Sequence, residues 1–160
     1  MPYNIHGCGY EVHIHNNLPQ NSPQLELHCA SGDEELGYNY PAVGTDFNWS
    51  FCAEPTTLYF CHFWWNGKDL RFDVFNNNQY CVDDGGYYFP DNVIYSCQWQ
   101  VQADGFYLGY YDLSSGQLVL QKYLDWCVSK SFGSLISELL VIEAHQKNQL
   151  AQFLKNYKAL

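Results

Sequence analysis

Apolar and polar residues alternate along most of this chain, and the alternation has the period of strands. In residues 10–15, Val12 and Ile14 share one face, with Glu11, His13 and His15 on the other. Residues 24–29 put Leu25, Leu27 and Cys29 together, and residues 46–51 do the same with Phe47, Trp49 and Phe51. Residues 58–65 are apolar on nearly both faces, as a central strand is. Segments 70–75, 95–101, 105–110 and 117–122 complete the set. A period of two, rich in Val, Tyr, Phe and Trp, marks a half-buried strand.

The joints carry turn chemistry. Pro19 and Pro23 bracket the first one, and residues 31–37 form an acidic loop. Asn66-Gly67 is a tight-hairpin dipeptide between two strong strands. Asn76-Asn-Asn78, Asp83-Asp-Gly-Gly86 and Ser114-Ser-Gly116 are further turns. The expected fold is therefore all-β, an antiparallel β-sandwich of about eight strands. Beyond Ser134 the period changes. Leu135, Leu139, Ile142, Leu150, Phe153, Leu154 and Tyr157 recur at helical spacing to residue 157. Ser134 is placed to cap this helix, and Lys147, Lys155 and Lys158 suit the C-terminal end of its dipole. The domain reading is an N-terminal extension over 1–9, a sandwich over 10–128 and a helical extension over 129–160.

Seven cysteines stand at 8, 29, 52, 61, 81, 97 and 127, with no CxxC pair. Their wide spacing fits a disulfide-stapled fold in an oxidising compartment rather than a zinc knuckle. Cys29, Cys61 and Cys97 share faces with apolar neighbours, so they could bridge two sheets or fill the core as free thiols. The odd count leaves at least one thiol free or paired between chains. Asn48-Trp49-Ser50 is the single N-x-S/T sequon and makes Asn48 the candidate glycosylation site. Residues 1–8 have neither the basic start nor the apolar stretch of a signal peptide.

Charge narrows the partners. Seven basic residues face seventeen acidic ones, a net charge of −10, which repels a phosphate backbone and an anionic lipid surface. Neither a nucleic acid nor membrane insertion is expected, and no apolar run is long enough to span a bilayer. The candidates for chemistry are few. His13 and His15 have the local spacing of a metal half-site, with His28, His62, Glu11 and Glu26 as possible further ligands. No HExxH-like signature accompanies them, so they read as solvent-facing positions of an alternating strand, and no metal or cofactor is expected. Neither a G-x-S-x-G nucleophile nor a phosphate-cradling glycine loop occurs. The neighbouring acids Asp33-Glu34-Glu35 and Asp83-Asp84 read as solvated loops rather than a glycosidase pair. No catalytic residue is assigned. Five tryptophans, 49, 64, 65, 99 and 126, support a second reading as a lectin-like module that stacks sugars on exposed indoles.

An ordered set of short motifs resembles a known family. Val12-His-Ile-His-Asn-Asn17 matches its "VxIxN" strand, and Leu25-Glu-Leu-His-Cys-Ala-Ser31 its "LxVHCxS" strand. Asp33-Glu-Glu-Leu-Gly37 is similar to "DDDLG". Trp49-Ser-Phe51 follows, then Leu58-Tyr-Phe-Cys-His-Phe-Trp-Trp65 for "LFxCxFxW" and Phe72-Asp-Val-Phe75 for "FDVY". Cys97-Gln-Trp99 matches "CxW", Asp104-Gly105 the following "DG", and Asp125-Trp-Cys127 the terminal Asp- and Cys-containing motif. Over residues 10–127 the chain resembles the plant self-incompatibility S1 proteins, or S-protein homologues.

The resemblance implies a secreted, disulfide-stapled sandwich that signals by binding a cell-surface receptor and not by catalysis. It places the family's four cysteines on Cys29, Cys61, Cys97 and Cys127, with Cys29–Cys127 and Cys61–Cys97 as the expected pairs. Partner contacts are expected from loops, namely Asp33, Glu34 and Glu35 and the stretch from Asn76, Asn77 and Asn78 to Asn92. The chain also departs from the pattern. Lys68-Asp-Leu70 stand where a family cysteine often follows the hairpin, residues 81–92 resemble an insertion, and Cys8, Cys52 and Cys81 are additional. The helix after Cys127 has no family counterpart.

Overall fold

The structure is a computed structural model and describes residues 8–87, 95–112, 114–128 and 132–158. It contains all eight predicted strands and two more. The order is β1 (Cys8–Asn16), β2 (Glu26–Ser31), β3 (Glu35–Asn39), β4 (Asp46–Cys52), β5 (Tyr59–Trp65) and β6 (Lys68–Phe75). A short 3₁₀ turn (Gly85–Tyr87), β7 (Ser96–Gln102), β8 (Gly105–Tyr111), β9 (Leu118–Leu124), β10 (Cys127–Val128) and helix α1 (Phe132–Lys158) follow.

The strands form two five-stranded sheets. One has the order β4-β1-β7-β8-β9, the other β10-β6-β5-β2-β3. Alternation is realised as burial: Val12 and Ile14 from the first sheet and Leu27, Cys29, Cys61 and Phe63 from the second are fully buried in one core. Ring contacts join the sheets there. Phe63 meets Phe106 at 4.8 Å, Phe72 meets Trp99 at 5.1 Å and Tyr10 meets Phe75 at 5.5 Å. Trp99 also donates its indole N–H across the core to the Val74 carbonyl at 3.0 Å, so its polar atom is not orphaned by burial. Burying a large side chain completely is worth roughly 1.5–3 kcal/mol, and Trp99 is the largest such side chain here.

Several expectations are corrected. The sheets are not wholly antiparallel, because β1 runs parallel to β7, with Ile14 opposite Trp99. Parallel neighbours need a long connection, and the chain between β1 and β7 supplies one by building four strands of the second sheet, and β4 of the first, on the way. The acidic loop is shorter than expected: Glu35–Asn39 is β3, which pairs with β2 through a register shift at Cys29/Ala30 and a Gly37 at φ 72°. The Asn66-Gly67 turn does form, with both residues at positive φ (49° and 71°), as a two-residue hairpin of this kind requires.

The disulfides also differ from the expected pairs. Cys29 lies directly opposite Cys61 on neighbouring antiparallel strands and bonds to it within one sheet. Cys8 and Cys52 face each other across β1 and β4 and are joined likewise. Cys97 is reached from Cys81, in the loop after β6. Cys127 is exposed and unbonded. The Cys29–Cys127 and Cys61–Cys97 pairs are therefore absent, because strand register gives Cys29 and Cys61 to each other.

The chain divides into two compact units, one ending at Cys127 and the other running from Val128. The second is built on α1, which begins at Phe132, so Ser134 lies inside the helix and does not cap it. Leu139, Ile142, Leu150, Phe153 and Tyr157 are exposed along it. No described helix is long and apolar enough to cross a membrane.

Candidate functional site

One end of the two sheets gathers most of the loops read as contact surface. Register places Ser31 of β2, Tyr59 of β5 and Phe75 of β6 in one row at that end. The loop leaving β2 and the loop entering β5 enclose an open cleft of about 750 Å³ beside Tyr59. Asp33, Glu34 and Glu54 line it together with Ser50 and Thr57, and no lysine or arginine does. Glu54 and Thr57 were not read as site residues. Glu54-Pro55 signals only a turn between strands in sequence, and strand order alone reveals that this turn meets the Asp33 loop.

The cleft is held by its own backbone. Ser31 Oγ accepts the N–H groups of Asp33 and Glu34 at 3.3 and 3.0 Å, so the loop's amides are satisfied without the carboxylates. On the other wall Thr57 Oγ1 accepts the Glu54 N–H at 2.8 Å, and the Glu54 carbonyl accepts the Thr57 N–H. Tyr59 is buried, and its hydroxyl donates to Glu34 Oε2 at 2.6 Å. Its pKa is pushed up to about 12, first by burial, then by the hydrogen bond to Glu34 and the charges of Glu34 and Asp33. The cleft thus presents fixed negative charge at neutral pH and suits a cationic group.

The remaining predicted contact residues go elsewhere. Glu35 opens β3, where its carboxylate meets His28 Nε2 at 2.7 Å and accepts the Gly37 N–H. Asn76, Asn77 and Asn78 follow Phe75 at the same end of the sheet but line no part of this cleft. Asn77 Oδ1 accepts the N–H groups of Gln79 and Tyr80, both at 2.9 Å, and Asn76 Oδ1 accepts that of Asp83 at 2.8 Å. The Asn78 carbonyl accepts the Tyr10 hydroxyl. The end of the expected contact stretch, over 88–92, lies outside the described residues.

The sugar platform of the second reading is not supported. Trp65, Trp99 and Trp126 are buried, and Trp49 packs against Phe47 and Tyr59. Trp64 lies on the outer face, half-buried between His62 and Tyr38. Asn48 is exposed on the outer face of the edge strand β4.

On that same outer face, His13 and His15 come together with Asp46 and not with His28 or His62, which belong to the other sheet. His13 Nδ1 lies 2.7 Å from Asp46 Oδ2, and its Nε2 lies 3.1 Å from Glu11 Oε2. Burial pulls the His13 pKa down, but the hydrogen bonds and charges of Asp46 and Glu11 outweigh it and raise the value. His13 in turn holds the Asp46 carboxyl below its ordinary value.

Comparison with known proteins identifies a family. The family model described as plant self-incompatibility protein S1 matches residues 11–126. S-protein homolog 4 of Arabidopsis thaliana is 34% identical over 94 residues, covering 49% of this chain and 60% of the relative. S-protein homolog 29 of the same plant is 34% identical over 97 residues, covering 58% and 62%. S-protein homolog 3 is 37% identical over 57 residues, covering 34% and 38%. Each match thus spans less than two thirds of the relative's length. No solved structure matches the chain significantly. The ordered motifs, the two sheets that realise them and a family match over most of the β unit place this chain in the plant self-incompatibility protein S1 family.

Proposed function

We propose that this protein is an exported, non-enzymatic signalling ligand of the self-incompatibility type, which binds a cell-surface receptor through the loops around the acidic cleft. The observation that carries the reading is the cleft itself. Asp33, Glu34 and Glu54 line an open concavity without a basic residue, on loops whose backbone is already satisfied. Such a surface attracts a lysine- or arginine-bearing segment of a protein partner, and the net charge of −10 reinforces the attraction at long range. Three disulfides support folding in an oxidising compartment. The exposed position of Asn48 leaves its sequon accessible to a glycan.

The test is binding of labelled protein to plasma-membrane preparations from tissues of the source plant. Saturable, salt-sensitive binding is expected. The triple variant Asp33→Asn, Glu34→Gln, Glu54→Gln should weaken it by about tenfold or more while staying folded, its melting temperature lowered only by the weaker bond between residue 34 and Tyr59. Undiminished affinity in a folded triple variant removes the cleft from the receptor contact.

A further inference from the structure

The outer face of β1 carries a constellation that recognition through the strand-end cleft does not use. We propose that His13, His15 and Asp46 form a surface site for a divalent ion of the imidazole-preferring kind, with Zn²⁺ as the ligand tested. This inference does not rest on the receptor reading.

Strand geometry brings the donors together. Residues two apart on β1 project to the same side, and the two imidazole rings lie nearly parallel, 11° apart with centroids 5.9 Å from each other. Asp46 begins β4 directly opposite His15. One ligand atom from each of the three lies within 4.8 Å of the others. Donors around a tetrahedral zinc ion stand roughly 3.3 Å apart, given bond lengths near 2.0–2.1 Å. Side-chain rotation on this partly open face can supply the remaining contraction.

The groups outside the triad orient it. Glu11 accepts at His13 Nε2, 3.1 Å away, and Gln98 Oε1 accepts at His15 Nε2, 2.6 Å away. The Gln98 amide is itself fixed by its donation to Ser96 Oγ at 2.7 Å. His13 has a carboxylate at each ring nitrogen, Asp46 at Nδ1 and Glu11 at Nε2, so a bound ion would displace the proton shared between His13 Nδ1 and Asp46, while Glu11 and Gln98 serve as the outer acceptors that generally orient metal-binding histidines. Asn48 donates to Asp46 Oδ2 at 3.0 Å and steadies the carboxylate. Two imidazole nitrogens and one carboxylate suit a borderline ion such as Zn²⁺ or Cu²⁺ better than Ca²⁺ or Mg²⁺. Water would complete the coordination from the open side.

The experiment uses the full chain with its three disulfides formed and Cys127→Ser, so that a free thiol cannot bind the metal. Titration with Zn²⁺ in a calorimeter should show one saturable equivalent. His13→Ala and His15→Ala should each weaken it at least tenfold and Asp46→Asn about tenfold. His28→Ala and His62→Ala should leave it unchanged. Should a variant not fold, Cu²⁺ electron paramagnetic resonance on the otherwise intact chain decides, since the site requires hyperfine structure from two imidazole nitrogens. Absence of saturable Zn²⁺ binding below about 100 µM, or binding that survives the folded His13→Ala, His15→Ala double variant, overturns the proposal; the first limit corresponds to a site too weak to be built. A Cu²⁺ spectrum without two nitrogens overturns it as well.

Discussion

Two polar loops lie at the same end of the second sheet, and they use their side chains in opposite ways. In the loop of residues 31–34, a serine hydroxyl satisfies the backbone and the carboxylates of Asp33 and Glu34 are left to line an open cleft. In the loop of residues 76–83, Asn76 and Asn77 are themselves the acceptors for the backbone, and Cys81 anchors the turn to Cys97. Cys81 also sits at φ 67°, in the left-handed region, where its carbonyl accepts the N–H groups of both Asn76 and Asn77. A polar loop is available to a partner only in so far as its side chains are not needed by its own main chain. By that measure the first loop leaves its carboxylates at the cleft, as the proposed contact surface would, and the second spends its amides on its own turn.

The largest expected effect strikes the second loop. Replacing Cys81 and Cys97 together by alanine opens a loop with a sequence separation of 16. The stability loss should be about 3 kcal/mol. Denaturant unfolding would measure it, and limited proteolysis should cut first between residues 76 and 83. Equal resistance to protease in the variant would mean that the hydrogen bonds alone hold the turn. Next in size is Asn77→Ala, which strands two N–H donors and should cost about 1–2 kcal/mol. A loss below about 0.5 kcal/mol would show that solvent replaces the amide oxygen, and the contrast between the loops would shrink accordingly.

How much of this contrast was legible in the sequence follows from what each feature depends on. The eight strands were, because a half-buried strand writes its two faces into alternate residues, as in Val12 and Ile14 against Glu11, His13 and His15. The helix was, through Leu135 to Tyr157, although its first turn was not, since it starts two residues before Ser134. What depends on strand order was hidden. The bond between Cys29 and Cys61 requires β2 beside β5 in one register, and Asp46 reaches His13 only because β4 is the neighbour of β1. β3 was obscured by Gly37 and by acids that resemble a loop. Composition likewise could not separate Asn77, which ties its own turn, from Asp33, which does not.

Tyr59 sharpens the comparison at the boundary of the first loop. Its phenol is neutral in the folded protein until about pH 12, against an ordinary value of 10.0. Between these values the unfolded chain has lost a proton that the folded chain keeps. The stabilisation is therefore fully present below pH 10 and is lost as pH rises towards 12. Tyr59→Phe should cost about 1 kcal/mol at neutral pH and flatten the alkaline decline of stability. Glu34→Gln should bring the phenol's titration, followed by absorbance at 295 nm, back towards its ordinary value. A titration unmoved by Glu34→Gln would leave burial, with the Asp33 charge, as the cause.

The smallest expected effect is the most telling one. Asp33 is exposed, and its own N–H, not its carboxylate, is what Ser31 binds. Asp33→Asn preserves the shape and the backbone bond and removes one of the three charges lining the cleft. Surface substitutions that disturb no cap, core or ion pair stay within about 0.5 kcal/mol, and the melting temperature should hold. The change should instead appear as a shallower salt dependence of partner binding, because a charge that steers association is screened over about 8–10 Å at ordinary ionic strength. If the variant melts lower, Asp33 is supporting its loop as Asn77 does, and the distinction between the two loops fails at its cleanest position. If it melts normally but binds with an unchanged salt slope, the partner's cationic group lies nearer Glu34 and Glu54, and the receptor contact must be redrawn around the Tyr59 side of the cleft.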